Sequence, residues 1–85
     1  MKSSAFTITT TASLLVDSEP TTRQVWLHVL GAGTVYIGPS TVTSSNGLLT
    51  EKNAVPLSLV IPAGETLYAI TASGTESLRV LVQGD

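Results

Sequence analysis

Residues 33–74 have the sequence GTVYIGPSTVTSSNGLLTEKNAVPLSLVIPAGETLYAITASG, in which short clusters of Val, Ile, Leu and Tyr alternate with turn-forming residues. The interruptions are Gly38-Pro39, Asn46-Gly47, Pro62-Ala63-Gly64 and Ser73-Gly74. Glycine and asparagine tolerate the backbone conformations of tight turns, and proline fixes φ near the value that the second turn position needs. The spacing therefore predicts a series of short strands joined by turns.

The flanking sequence continues this pattern. Residues 6–11 and 77–83 place apolar side chains at alternate positions, and residues 25–30 form the most apolar predicted strand, both of whose faces need cover. Successive strand residues point to opposite faces, so this alternation indicates strands, and no segment keeps the apolar spacing of a helix face. We expect an all-β fold of roughly seven to eight short strands with little or no helix, arranged as a compact antiparallel β-sandwich or a small jelly-roll-like barrel.

Three turns have specific predicted geometries. Asn46-Gly47 predicts a two-residue hairpin turn with positive φ at both residues. Pro62-Ala63-Gly64-Glu65 predicts a type I turn with Pro62 at the second position and Gly64 at the fourth, and residues 73–76 predict a hairpin into the last strand. At the N-terminus, residues 1–5 are polar and unpatterned, so we expect a flexible arm at 1–5 and a single β-domain at 6–85.

The composition favours a protein that associates with other protein. The chain has 85 residues, of which 42% are hydrophobic and only 12% charged, and its net charge is -2. So small a core is usually reinforced by disulfides, a metal or a subunit contact. The chain has no cysteine and one histidine. Oligomerisation is therefore the expected reinforcement.

The charge pattern argues against binding to nucleic acid. The four basic residues are scattered, at Lys2, Arg23, Lys52 and Arg79, so they form no stripe that neutralises several neighbouring phosphates. No apolar run approaches the roughly 20 residues that span a bilayer, and threonines interrupt any signal-peptide core in residues 6–11. We expect neither a nucleic-acid nor a membrane partner, and folding in a cytoplasm.

The residues also lack a recognisable catalytic or ligand-binding motif. His28 lies in the middle of a predicted strand, no Gly-x-Ser-x-Gly elbow is present, and the acidic residues lie in loops, turns or at the terminus. Asp17 and Glu19 do not have the ligand spacing of a calcium loop. Gly31-Ala32-Gly33 is only half of a dinucleotide fingerprint and precedes a strand. The sequence predicts no enzyme, no catalytic residue, no cofactor and no metal.

Several apolar side chains remain after each predicted strand has been given an inward face. Aromatic residues favour the centres of protein interfaces, so we expect these side chains to form a subunit interface. They are Trp26, Leu30, Tyr36, Val60, Tyr68 and Leu81. Two alternatives remain open: a sheet that curls into a barrel with a cap over some of them, and a platform of Trp26 and the tyrosines that stacks on sugar rings.

The chain resembles a group of small β-rich structural proteins of tailed bacteriophages. The similar run covers about residues 14–82, and its motifs are Gly31-Ala32-Gly33, Thr34-Val35-Tyr36-Ile37-Gly38, Val42-Thr43, Asn46-Gly47, Pro62-Ala63-Gly64-Glu65, Leu67-Tyr68-Ala69-Ile70 and Gly74. The chain departs from the pattern with a polar insertion at residues 50–53 before Pro56.

The resemblance implies a virion protein, and among virion positions a capsid decoration (cement) protein fits best. Such proteins are often homotrimers that bind the major capsid protein through an N-terminal arm, which in this chain is Met1, Lys2, Ser3, Ser4, Ala5 and Phe6. The expected location is the capsid surface, after assembly in the bacterial host cytoplasm. The alternatives are another virion component, such as a head fibre base or tail adaptor, or a small glycan-binding module.

Overall fold

The computed structural model describes residues 1–31, 33–51 and 57–84. These residues form eight strands in two four-stranded antiparallel sheets. The described part of the chain contains no helix long and apolar enough to cross a bilayer. The strands are β1 (Lys2–Ile8), β2 (Ser13–Val16), β3 (Arg23–Val29), β4 (Thr34–Gly38), β5 (Leu48–Glu51), β6 (Leu57–Ile61), β7 (Leu67–Ile70) and β8 (Glu76–Gln83).

The strand order is that of a jelly roll. Sheet I has the order β1-β8-β3-β6 and sheet II the order β2-β7-β4-β5. Strand β1 pairs with β8, β2 with β7, β3 with β6 and β4 with β5. Such nested pairing results when a chain forms one long hairpin that then wraps around itself into two facing sheets. The predicted all-β sandwich is confirmed.

Alternation along the strands sorts side chains between one shared interior and two outer faces. In β3, Val25, Leu27 and Val29 are buried, whereas Trp26 is exposed and His28 is half-buried. Each fully buried Val or Leu stabilises the fold by about 1.5–3 kcal/mol. Both sheets contribute to this core, which also contains Ile8, Leu15, Val16, Val35, Ile37, Ile61, Leu67, Ala69, Leu78, Val80 and Val82.

The N-terminal residues form an edge strand, which corrects the flexible arm expected at residues 1–5. Strand β1 begins at Lys2, opposite Val82, and remains paired with β8 as far as Ile8, opposite Glu76. The physical reason is that β8 has a side not covered by β3, where its backbone donors and acceptors need partners. The β-domain therefore includes the segment expected to be free.

The connection between β4 and β5 is not the predicted two-residue turn. Neither Asn46 nor Gly47 has a positive φ. Their amides instead donate to the carbonyl oxygen of Thr43, at 3.3 and 2.9 Å, and Asn46 Oδ1 accepts from the Thr43 amide at 2.7 Å. Glycine is required at position 47 for space, because a Cβ there would lie 2.6 Å from the Cβ of Tyr36.

Two further turns differ from their predictions. After β6, the Glu65 amide donates to the Pro62 carbonyl oxygen at 3.1 Å, and Gly64 occupies the third turn position with φ 85°. A positive φ at that position defines a type II turn, not the predicted type I. The hairpin predicted at residues 73–76 is also wrong, because β7 and β8 belong to different sheets and this segment crosses between them.

Candidate functional site

The side chains predicted to form one subunit interface lie on opposite sides of the sandwich. We name the outer face of sheet I face I, and the outer face of sheet II face II. Trp26, Val60 and Leu81 lie on face I, with Leu30 directly after β3 on the same side, and Tyr36 and Tyr68 lie on face II. The two faces point away from each other, so one flat contact between two copies cannot bury all six.

Face II carries an unbroken apolar patch. Its side chains form two adjacent cross-strand rows, Leu14, Tyr68 and Gly38 in one row and Ile70, Tyr36 and Leu49 in the other. Directly opposed strand residues lie about 5 Å apart, so the members of each row touch their neighbours. The buried Val42 side chain lies over the glycine at the end of the first row, with its Cγ2 atom 3.0 Å from where a Cβ of residue 38 would be. We name Leu14, Tyr36, Leu49, Tyr68 and Ile70 the face II patch.

The face II patch is exposed to water and nearly uncharged. Leu14 is 41% exposed and Leu49 52% exposed, while the other three members are half-buried. Among the described residues of this face, Glu51 is the only charged one, and it lies at the margin opposite Thr34. An exposed apolar group of this kind marks an interaction surface more often than a scattered set of single residues does.

Sequence reasoning missed three members of the face II patch, Leu14, Leu49 and Ile70. The signal for Leu49 was present, because two consecutive leucines in a strand cannot both face the core. Ile70 shares a face with Tyr68 by period two, but the apolar run 67–70 gives no contrast between its faces. Leu14 precedes an irregularity in the pairing of β2 with β7, which sequence does not reveal.

Face I has a different chemical character. Its central row runs across all four strands through Ser3, Leu81, Trp26 and Ser58. The rows on either side contain Ala5, Arg79 and His28, and Gln83, Gln24 and Val60. A shallow depression of about 160 Å³ lies on this face, lined by Ser3, Trp26, His28, Arg79 and Leu81 together with parts of Leu27 and Val80. Face I therefore combines one exposed indole with hydroxyl, amide and guanidinium groups.

The single histidine lies in this depression and not in a catalytic arrangement. His28 is opposite Arg79 in the pairing of β3 with β8, and its Nδ1 atom is buried without a hydrogen-bond partner. Among the described residues, no three His, Asp or Glu side chains lie close enough together to hold a metal ion. The arrangement offers hydrogen bonding and positive charge to a ligand.

Trp26 and the tyrosines do not form the single sugar-stacking platform considered above. Trp26 is on face I, 38% exposed, whereas Tyr36 and Tyr68 are on face II and half-buried. The interior of the sandwich separates the indole from both phenol rings. Any ring stacking on Trp26 would therefore use the neighbouring groups of face I alone.

Five of the six predicted capsid-binding residues, Lys2 to Phe6, lie in strand β1, and Met1 precedes the strand. Ser3 and Ala5 face outward on face I, opposite Leu81 and Arg79, while Phe6 packs against the core. Strand β1 is at the edge of sheet I in the described structure, so one side of its backbone has no strand beside it. A partner that binds these residues would therefore contact the edge of strand β1 and not a flexible segment.

Arg23 is a buried charged residue that the sequence analysis did not single out. It is 1% exposed, and its guanidinium donates to the carbonyl oxygens of Asp17, Thr21 and Glu65. Arg23 is two residues before the buried Val25, so the alternation along β3 predicts that its side chain also points into the sandwich. Its bonds connect two loops at one end of the sandwich, which is a structural role.

Comparisons of this chain with protein families, with curated proteins and with solved structures gave no match.

Proposed function

We propose that this chain is a non-enzymatic structural protein of a tailed-bacteriophage virion. In this proposal it is a decoration protein that binds the outside of the head as a homotrimer, contacts the major capsid protein and stabilises the shell. The observation that carries the proposal is the face II patch, an exposed apolar surface on a chain with few charges. The resemblance to phage structural proteins supports the placement in a virion.

Face II is the surface that joins the copies. The patch includes two tyrosines flanked by aliphatic side chains, and aromatic side chains of this kind are enriched in the buried centres of interfaces. A contact that paired face I of one copy with face II of the next would extend without closing, because the two faces point in opposite directions. A closed trimer therefore turns the same face of each copy toward its axis, and face II is the more apolar one.

Strand β1 provides the contact with the shell. An edge strand presents unpaired backbone donors and acceptors, and an extended segment of a partner can add to such an edge. In this arrangement Met1 to Phe6 bind the major capsid protein as part of a sheet. Three copies linked through face II would then engage the shell at several points, which raises the overall affinity beyond that of one contact.

Sedimentation equilibrium over a dilution series tests the subunit contact. Leu49→Glu places a charge in the face II patch, and Val60→Glu is the matched control on face I. Both residues lie on edge strands, and they are 52% and 60% exposed. We expect the wild type and Val60→Glu to be trimers and Leu49→Glu to be a monomer. A monomeric wild type, or dissociation by Val60→Glu alone, would contradict the proposed interface.

Co-sedimentation with expanded phage head shells tests the placement on the capsid. We expect the wild type and Val60→Glu to pellet with the shells, and the monomeric Leu49→Glu to remain largely in the supernatant because it has lost multivalent attachment. A trimeric wild type that stays in the supernatant would refute the decoration role while leaving the face II contact intact.

A further inference from the structure

Face I carries polar side chains that lie outside the proposed subunit contact on face II. Arg79 is the only residue with a formal charge among the described members of face I, and none of those members is a carboxylate. The chain as a whole has a net charge of -2. A single exposed guanidinium without a neighbouring acid on its face is therefore available to an anionic ligand.

The depression brings that charge next to an aromatic surface. Trp26 lies opposite Leu81, and His28 lies opposite Arg79 two positions further along the same strands. A ring placed over the indole would have an acidic substituent within reach of the guanidinium, which binds carboxylates through two parallel hydrogen bonds. The depression of about 160 Å³ is open and shallow, so it suits one ring of a longer ligand.

The remaining groups of face I favour a polyhydroxylated ligand over an aliphatic or aromatic acid. Hydroxyl and amide side chains lie on the same face as the depression, each able both to donate and to accept hydrogen bonds, and Ser3 lines the depression itself. They are Ser3, Ser58 and Ser77, together with Gln24 and Gln83. The chemistry of face I is thus that of a surface for sugar hydroxyls with one position for an acid.

His28 adds a polar atom that the fold leaves unused. Its buried Nδ1 atom has no hydrogen-bond partner, although buried polar groups in proteins are nearly always paired. Because His28 also lines the depression, this unpaired nitrogen belongs to a side chain that a ligand there would contact.

We infer that face I binds an acidic polysaccharide, with one uronic acid ring on Trp26 and its carboxylate on Arg79. The site is on the side of the sandwich opposite the face II patch, so the contact between copies through face II leaves it accessible. The inference rests on the chemistry of face I and not on the proposed place in the virion. It assigns the chain a second binding activity.

Fluorescence titration tests this site directly, because Trp26 is the only tryptophan. The probe is an oligogalacturonate, and its methyl ester is the matched ligand that has the same rings without the charge. We expect saturable quenching by the acid and at least about tenfold weaker binding of the ester, since hydrogen bonds between charged groups are roughly twice as strong as neutral ones. Equal affinity for both ligands, or no saturable change, would overturn the inference.

Two variants then locate the carboxylate. We expect Arg79→Gln to weaken binding of the acid by about tenfold or more without changing the affinity for the ester. We expect Arg79→Lys to recover part of the loss, because lysine keeps the positive charge but cannot form the two parallel hydrogen bonds of a guanidinium. Melting temperatures confirm that each variant is folded. Unchanged affinity of a folded Arg79→Gln for the acid would remove Arg79 from the site and refute the inference.

Discussion

At the scale of single residues, two charged side chains have clear structural roles, because backbone groups bind them by hydrogen bonds. Arg23 keeps its guanidinium inside the sandwich by donating to three backbone carbonyl oxygens, and no described carboxylate forms an ion pair with it. At the opposite end, the Glu76 carboxylate accepts from the Gly33 amide at 3.1 Å. A Cβ at Gly31 or Gly33 would lie 2.0 or 2.3 Å from an oxygen of that carboxylate, so any larger residue there would require the Glu76 side chain to move.

The first prediction concerns Arg23. Replacing it with methionine removes all three hydrogen bonds and leaves carbonyl groups that were satisfied inside the protein without donors, so we expect a loss of about 3 kcal/mol or more in the free energy of unfolding. The matched control is Arg79→Met, which removes the same charge from an exposed position and should cost less than about 0.5 kcal/mol. Urea denaturation measures both values, and similar losses for the two variants would contradict the structural role of Arg23.

At the scale of elements, the informative feature is the pairing of β1 with the last strand of the chain. Seven of the eight strands have at least one neighbour that is distant in sequence, and only β4 and β5 are consecutive strands paired within one sheet. Pairing of the two ends of the chain makes the N-terminal strand part of the sheet that covers the core. The polar composition of residues 1–5 reflects an edge position with one face in water, not disorder.

The second prediction is that deletion of residues 1–5 damages the fold. The deletion removes Lys2 to Ala5 from the strand and leaves part of β8 unpaired at a new edge. We expect a loss of about 2 kcal/mol, which lowers the melting temperature of a domain of this size by about 8–16 °C. Removal of Met1 alone, 79% exposed and outside the strand, is the control and should have no measurable effect. An unchanged melting temperature after the longer deletion would show that β1 contributes no stability.

At the scale of the whole molecule, the two outer faces differ in chemical character and therefore in the environment that stabilises each of them. The accessible surface of 4695 Å² is close to the roughly 4,800 Å² that is typical of a monomer of this mass, so the chain is not unusually extended. The case for association therefore rests on the composition of face II, where apolar side chains take the place of charges. Face I, with its guanidinium and amides, is compatible with water and with an acidic ligand.

The third prediction separates the two faces by their response to salt. Apolar association is nearly indifferent to ionic screening, whereas an exposed pair of charges weakens as the Debye length shortens. Raising sodium chloride from about 50 to about 500 mM should change the dissociation constant of the oligomer by less than about threefold, and should weaken the binding of oligogalacturonate by more than that. Sedimentation and fluorescence quenching measure the two constants, and strong salt dependence of the oligomer would contradict an apolar interface.

Much of the fold could be read from local sequence. Period-two alternation located the strand of Val25 and Leu27 and the last strand, and the glycine and proline pairs located most of the connections. Local patterns fail where a connection can end in either sheet, which is why the turn residues at 73–76 predict a hairpin although this segment crosses between the sheets. Local patterns also fail at Asn46-Gly47. They predict a glycine with positive φ, whereas glycine is needed at position 47 because a Cβ there would collide with Tyr36.

The sequence by itself determined the all-β class, the approximate strands and the surplus of apolar side chains, because these follow from alternation, turn chemistry and composition within a few residues. Only the tertiary structure decided that the surplus is divided between two opposite faces, that Leu14, Leu49 and Ile70 join the tyrosines, and that the N-terminus is a strand. The physical reason is that strand partners in a jelly roll come from opposite ends of the chain. Which residues become neighbours on a face depends on that long-range pairing and its register, and no local pattern contains it.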